Sequence, residues 1–338
     1  MMMWKYILSR LLWMALALFG AIVLIFFFTQ AIPGNAALAR AGLWAKPWVL
    51  ESIEKSMGLD QPLHIQFLIY MNHLAHGDLG HSWKTGMSVN QDMAQRLPAT
   101  LELAFLSLAI AFPLGVLLGT MATVYEGSAI DYSVRGFGIF GNSVAVFWLA
   151  LLLIYIFFFR LGVAPGPMGR LGVLDQPPPR LTGLYVVDSI LAGDLHLLLT
   201  SLKYLALPVI TLVTVVAAPI SRMTYSTVSE VLQSNYIRAA IAHGLPRRLI
   251  YYKYALKNAL IPIVTLAGQS LGFLIAGAVL VEVAFSWPGI GRYAVESMAV
   301  ADLAPVQAFL ILVTAFSMVI NLVVDLSYFY LDPRIKGT

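Results

Sequence analysis

The 338-residue chain has no cysteine, so it has no disulfide framework, no thiol nucleophile and no thiolate metal site, and its redox compartment stays open. Charge is scarce too. Only 11% of residues are Asp, Glu, Lys or Arg, against 59% hydrophobic, too few to cover a soluble globule of this size. The sequence also lacks a phosphate-binding Gly-x-x-x-x-Gly-Lys-Ser/Thr loop, a His-Glu-x-x-His pair and a Gly-x-Ser-x-Gly elbow. Those absences argue against an ATPase and against the common hydrolases. What remains is an all-α integral membrane protein.

Charge-free runs mark the spans, because a charge at mid-bilayer costs roughly 2.5 to 3.5 kcal/mol on insertion scales. They are Leu11 to Ala39, Leu103 to Tyr125, Gly136 to Phe159, Tyr204 to Ser221, Asn258 to Val281 and Leu303 to Val324, which predicts about six helices. The first run follows Lys5 and Arg10, exceeds a usual signal-peptide core and lacks a clear cleavage site, so it is read as a retained span. None of the runs carries the interior acids or bases that relay protons in coupled carriers, so energy for uphill transport must enter from elsewhere.

The net charge of +4 could suggest nucleic acid, but the basic residues cluster beside apolar spans, and the positive-inside bias accounts for them better. With both termini cytoplasmic, that side receives Arg135, Arg222, Arg238, Arg247, Arg248, Lys253 and Lys257. The expected organisation is a first span over 1–32, an external loop with short surface helices over 33–95, a membrane domain over 96–328 and a cytoplasmic tail over 329–338. Within the external loop, Pro47 to Met57 and Pro62 to Leu74 read as helices. Gly162 to Leu181, with its Pro177-Pro178-Pro179 run, reads as irregular, and Leu184 to Leu202 as lying on the outer surface.

Two motifs have bland explanations. Gly136-Phe-Gly-Ile-Phe-Gly141 has the spacing of a dinucleotide loop, but no strand precedes it, so its glycines read as close helix contacts, like Gly115 with Gly119 and Gly268 with Gly272. His64, His73, His76 and His81, with Asp78 nearby, read as solvated loop side chains, not a metal site.

The stretch Glu230 to Pro262 lies between two apolar runs yet holds five basic residues. It reads as two short helices, with Gly244 suited to the left-handed conformation that ends the first and Pro246 to the first turn of the second. Ala239 and Ala240 leave the first helix nearly bare on one side, so a partner could come close. The residues Tyr236-Ile-Arg-Ala-Ala-Ile-Ala-His-Gly-Leu245 and Ala255-Leu-Lys-Asn-Ala-Leu-Ile-Pro262 resemble the cytoplasmic EAA loop of binding-protein-dependent ATP-binding-cassette importer permeases. Gly77-Asp-Leu-Gly-His-Ser82, Leu97-Pro-Ala-Thr-Leu-Glu-Leu-Ala104, Phe285-Ser-Trp-Pro-Gly-Ile-Gly-Arg292, Asn321-Leu-Val-Val-Asp325 and Asp332-Pro-Arg-Ile335 are similar to the dipeptide and oligopeptide branch, in particular its B-type subunit.

That resemblance implies a type I importer transmembrane domain with a cytoplasmic coupling helix, in a multi-pass bacterial inner-membrane protein. It also implies a second permease subunit, two ATP-binding subunits that hold ATP and magnesium, and an external solute-binding protein. No cofactor, catalysis or nucleic-acid partner is implied for this chain. Tyr236, Arg238, Ala239, Ala240, Gly244 and Leu245 would contact an ATPase, while Glu282, Trp287 and Arg292 would serve an external gate or binding-protein contact. The expected cargo is a di- or oligopeptide or a similar small solute; nickel chelates, glutathione, opines and sugars are alternatives within the branch. A stand-alone carrier or channel is the rival from another class. The sequence departs from the family at Ile241 and His243, where basic residues are common, and at Tyr254, where His is common.

Overall fold

The computed structural model describes residues 2–31, 48, 55, 60–172 and 174–331. The expected helix over Pro47 to Met57, apart from Trp48 and Lys55, the Asp332-Pro-Arg-Ile335 motif and the tail beyond 331 lie outside these residues. Helices α1 (Met2–Ala31), α2 (Leu63–Ala75), α3 (Val89–Val124), α4 (Ala129–Ser143) and α5 (Val146–Arg160) are followed by α6 (Tyr185–Ala192) and α7 (Leu195–Leu232). Then come α8 (Asn235–Ala242), α9 (Arg247–Gly277), α10 (Val279–Ala284), α11 (Ile290–Met298) and α12 (Leu303–Leu331).

Five of these are long and apolar enough to cross a membrane, and α4 with α5 makes a sixth if that pair is one span. The pair bends by 107° at Val144 and Ala145, so the predicted straight span over Gly136 to Phe159 is in fact broken. Composition gave no warning, since both halves are apolar. A second difference concerns α7. It begins at Leu195, capped by the Asp194 carboxylate on the Leu197 N–H at 2.9 Å, so half of the predicted outer-surface stretch is the first turns of a 38-residue helix.

The chain divides into two compact units. One comprises residues 1–99 and 288–318. Val89, Met93, Ile290, Tyr293 and Ala308 form one core there, and Ile22, Ile25 and Ile311 form another with Tyr70 and Met71 from α2. The Gly77-to-Ser82 motif makes a turn pinned by Asn90, which accepts from the Leu79 N–H at 2.9 Å and donates to the Gly77 carbonyl at 2.5 Å. Ser82 donates its hydroxyl to Asp302 at 2.5 Å, and Tyr293 and Thr85 donate theirs to Asp92 at 2.7 and 2.6 Å. Burial, aided by the bond to Asp92, pushes the Tyr293 phenol up to about 12.

The other unit comprises residues 100–287 and 319–338. Its rod is α7, most of whose apolar middle is buried. Helices this apolar gain little from hydrophobic sorting in lipid, and small residues let them approach. A Cβ at Gly141 would lie 2.5 Å from the Ala218 Cβ, and one at Gly119 would strike the Ser221 carbonyl, so α3 and α4 both pack backbone-close on α7. The buried hydroxyls of Thr211 and Thr224 are satisfied within their own helix, on the Leu207 and Ile220 carbonyls, each at 2.8 Å. The stretch from Leu161 to Leu184 carries no helix among its described residues, as expected of its Pro and Gly content.

Candidate functional site

Helix α7 ends at Leu232, and extended Ser234 turns the chain into the two-turn helix α8. Ile237 and Ala240, three residues apart, face inward and seat α8 on its own unit. Tyr236, Arg238, Ala239 and Ile241 face outward, Ile241 at 58% exposure. The two alanines predicted to bare one side are therefore split: Ala239 is on the open face and Ala240 beneath it.

Gly244 has φ +72°, its N–H donates to the Ile241 carbonyl at 2.9 Å, and the Leu245 N–H donates to the Ala240 carbonyl at 3.2 Å. This is a Schellman stop, with Leu245 half-buried just after it. Pro246 sits just ahead of α9, as its cap, one position earlier than the sequence suggests. Beyond it, residues 250–255 form a π-helical turn, a widening often found at working parts of proteins.

Asn258, which the sequence offered no reason to choose, ties this region together. Its side-chain amide donates to the Tyr236 hydroxyl and to the Tyr254 carbonyl, both at 2.9 Å, joining α8 to the start of α9. Arg238, Arg247, Arg248, Lys253 and Lys257 are exposed and have no ion-pair partner among the described residues. Arg247 and Arg248 line a cleft of about 850 Å³ with Tyr125, Tyr251 and Tyr252. Pro246, Leu249 and Lys253 line an apolar notch beside it, of about 430 Å³. The surface offers positive charge, aromatic rings and the exposed Ile241.

The remaining predicted residues fall in different units. Glu282 and Trp287 are completely buried in the unit built on α7. Glu282 accepts from the Thr100 hydroxyl at 2.5 Å, and its carbonyl accepts from the Trp287 N–H at 2.7 Å across Ser286, which adopts φ +53°. Arg292 lies in the other unit, on α11, and donates to Glu296 at 2.7 Å. Lys84 reaches the same carboxylate at 2.9 Å. Burial works against the Glu296 charge, but the bonds from Lys84 and Arg292 outweigh it and hold the carboxyl below its ordinary range.

A buried cluster escaped the sequence reading. Arg170, in the irregular stretch, is paired with Glu102 of α3, donates to the Gly183 carbonyl at 3.0 Å and lies 3.4 Å from the ring centre of Tyr185. Trp287 closes the far side at 5.8 Å. Among the described residues no group of three or more His, Asp or Glu side chains could hold a metal, and His73 instead bonds Asp78 at 3.0 Å.

Five helices, or six with the bent pair, that are long and apolar enough to cross a membrane define a multi-pass helical membrane protein. The comparisons agree. Residues 96–337 match the family described as binding-protein-dependent transport system inner membrane component, and residues 3–104 match its N-terminal companion. The chain belongs to that family, in its dipeptide and oligopeptide branch. It is 40% identical over 335 residues to the probable D,D-dipeptide transport system permease protein of Escherichia coli strain K12, covering 99% of this chain and 98% of the relative. It is also 40% identical to a dipeptide transport system permease protein of Alkalihalophilus pseudofirmus, over 99% and 100% of the two chains. A di/tripeptide transport system permease protein of Pseudomonas aeruginosa is 37% identical, over 99% of each.

Proposed function

We propose that this permease lines half of a translocation path for dipeptides or short oligopeptides, paired with a second permease subunit and fed by an external solute-binding protein. Two ATP-binding subunits supply the work, holding ATP and magnesium, and α8 is the foot that receives it. The observation that carries this reading is the division of α8 into a seated face, Ile237 and Ala240, and an open face, Tyr236, Arg238, Ala239 and Ile241. A foot seated on the end of α7 transmits displacement as rigid-body motion, which a floppy loop would absorb. On this reading Gly244 and Leu245 set the angle of the foot, and both termini and the foot share the cytoplasmic side. Complete burial of Glu282 and Trp287 favours a gate over a binding-protein contact for those two, and leaves Arg292 for the contact.

The test is Gly244→Pro. Proline cannot adopt a φ of +72°, so the Schellman stop is lost and the foot is re-aimed. ATP-driven peptide uptake into vesicles should fall at least about tenfold while membrane insertion is unchanged, a coupling loss of roughly 1.4 kcal/mol or more. Wild-type uptake by this variant refutes the lever.

A further inference from the structure

Helices α3, α4 and α7 enclose a second cavity of about 430 Å³, which neither the foot nor the gate residues use. Arg135, Gly138, Ile139, Asn142, Arg222 and Tyr225 are among its walls, and no wall residue is a carboxylate. The two arginines differ. Arg135 is already answered: its guanidinium donates to Asp131 at 2.6 and 2.9 Å and to the Tyr225 hydroxyl at 2.7 Å, and it lies 4.8 Å from the centre of that ring. Asp131 is in turn fully engaged, accepting from the Gly127 N–H at 2.9 Å as well. Arg222 is exposed into the cavity and has no hydrogen-bond or ion-pair partner among the described residues. Tyr225 donates onward to the Glu126 carboxylate at 3.2 Å, so Asp131 and Glu126 stand behind Arg135 and Tyr225, and Arg222 is the wall cation without a direct partner among the described residues.

Two further facts narrow the ligand. Arg222 is the first charge after the charge-free run from Tyr204 to Ser221, which sets it where hydrocarbon gives way to headgroups. The rim is apolar and open, with Ile139 at 70% exposure and Tyr132 nearby on α4 at 67%. A zwitterionic peptide entering here would find a partner for its carboxylate in Arg222, while the wall itself offers its ammonium no carboxylate and the nearby Glu126 is engaged by Tyr225. A purely anionic head with an apolar tail matches both parts, as basic pockets between membrane helices do for acidic lipids.

We propose that this cavity binds the phosphate of an anionic phospholipid, with Arg222 as its charge partner, Asn142 as a polar neighbour, and an acyl chain laid over Ile139. A lipid bound there braces α4 against α7, the helix that leads to the foot. The proposal rests on the membrane-permease assignment and not on the foot.

The assembled transporter, purified with its partner subunits and stripped of lipid, should be titrated with dioleoylphosphatidylglycerol or dioleoylphosphatidylcholine while bound lipid is counted by native mass spectrometry. Wild type should bind the glycerol lipid about fivefold more tightly than Arg222→Gln, the effect of one basic residue, and Arg222→Lys should keep most of that affinity. Gly138→Leu puts bulk into the cavity while keeping the Arg222 side chain, since a Cβ at Gly138 meets nothing within 4 Å, and it should lose the same lipid. Equal retention by Arg222→Gln and wild type, or by Gly138→Leu and wild type, overturns the site. So does equally tight choline-lipid binding. Displacement by millimolar inorganic phosphate makes it a free-anion site, and displacement by a dipeptide makes it part of the solute path; either result overturns the lipid assignment.

Discussion

Asp188 points its carboxylate back at the chain before it. It accepts from the Thr182 hydroxyl at 2.7 Å and from the N–H groups of Thr182 and Gly183 at 2.8 Å each, closing the end of the irregular stretch onto α6. Burial penalises that charge, but the bonds from the Thr182 hydroxyl and then from the backbone outweigh it, so the carboxyl is held below its ordinary 3.8. A lowered folded-state value means a contribution fully present above about pH 3.8 and lost as pH falls through the folded value. Asp188→Asn keeps one acceptor oxygen and loses the charge, and should cost about 2 kcal/mol at pH 7. In denaturant titrations the gap between variant and wild type should close on acidification below that range; a gap that persists at low pH would show that shape, not charge, holds the clasp. Arg170 and Glu102 work beside it with greater stakes, since removing one partner of a buried pair costs about 3 to 5 kcal/mol. Neither residue was legible as a pair in the sequence, where 68 positions separate them and Arg170 looked like another loop cation.

At the scale of elements, the foot is the part that local chemistry specified best. Gly244 and Pro246 mark its stop and restart because left-handed backbone and fixed φ are local needs that local residue types reveal. Which side of α8 is free is different. Ala239 and Ala240 are identical in the sequence, and only the way α8 packs decides that one is covered. The same holds for Asn258, whose bond to Tyr236 crosses 22 positions. Asn258→Ala should loosen α8 without unfolding the helices around it. Amide exchange across residues 235–242 should rise about fivefold, the loss of roughly 1 kcal/mol from one hydrogen bond, while exchange in α7 stays as in wild type. Unchanged exchange in α8 would mean that Ile237 and Ala240 hold it alone. The break between α4 and α5 was hidden for a related reason: hydropathy measures whether a stretch belongs in lipid, and both arms do.

The whole molecule has five to six crossing helices and no energy source of its own among its described residues or its motifs. Reconstituted alone in vesicles, the chain should take up no labelled dipeptide above the rate of empty vesicles with or without ATP, and uptake should appear only with the partner subunits present. Concentrative uptake by the isolated chain would establish the carrier reading instead.

Composition and the spacing of charges were sufficient, without any coordinates, for the membrane class, the approximate number of helices and the existence of the basic foot, because lipid excludes charge and leaves a one-dimensional trace of that exclusion. Tertiary structure alone decided that α7 is the rod of its unit, that Glu102 meets Arg170, that Ala240 is covered and that Arg222 lines a cavity with no direct partner among the described residues. Such facts depend on which distant surfaces meet, and in a chain made almost wholly of similar apolar helices the pairing is chosen by backbone-close packing at a few small residues and by rare polar contacts, neither of which leaves a periodic mark along the sequence.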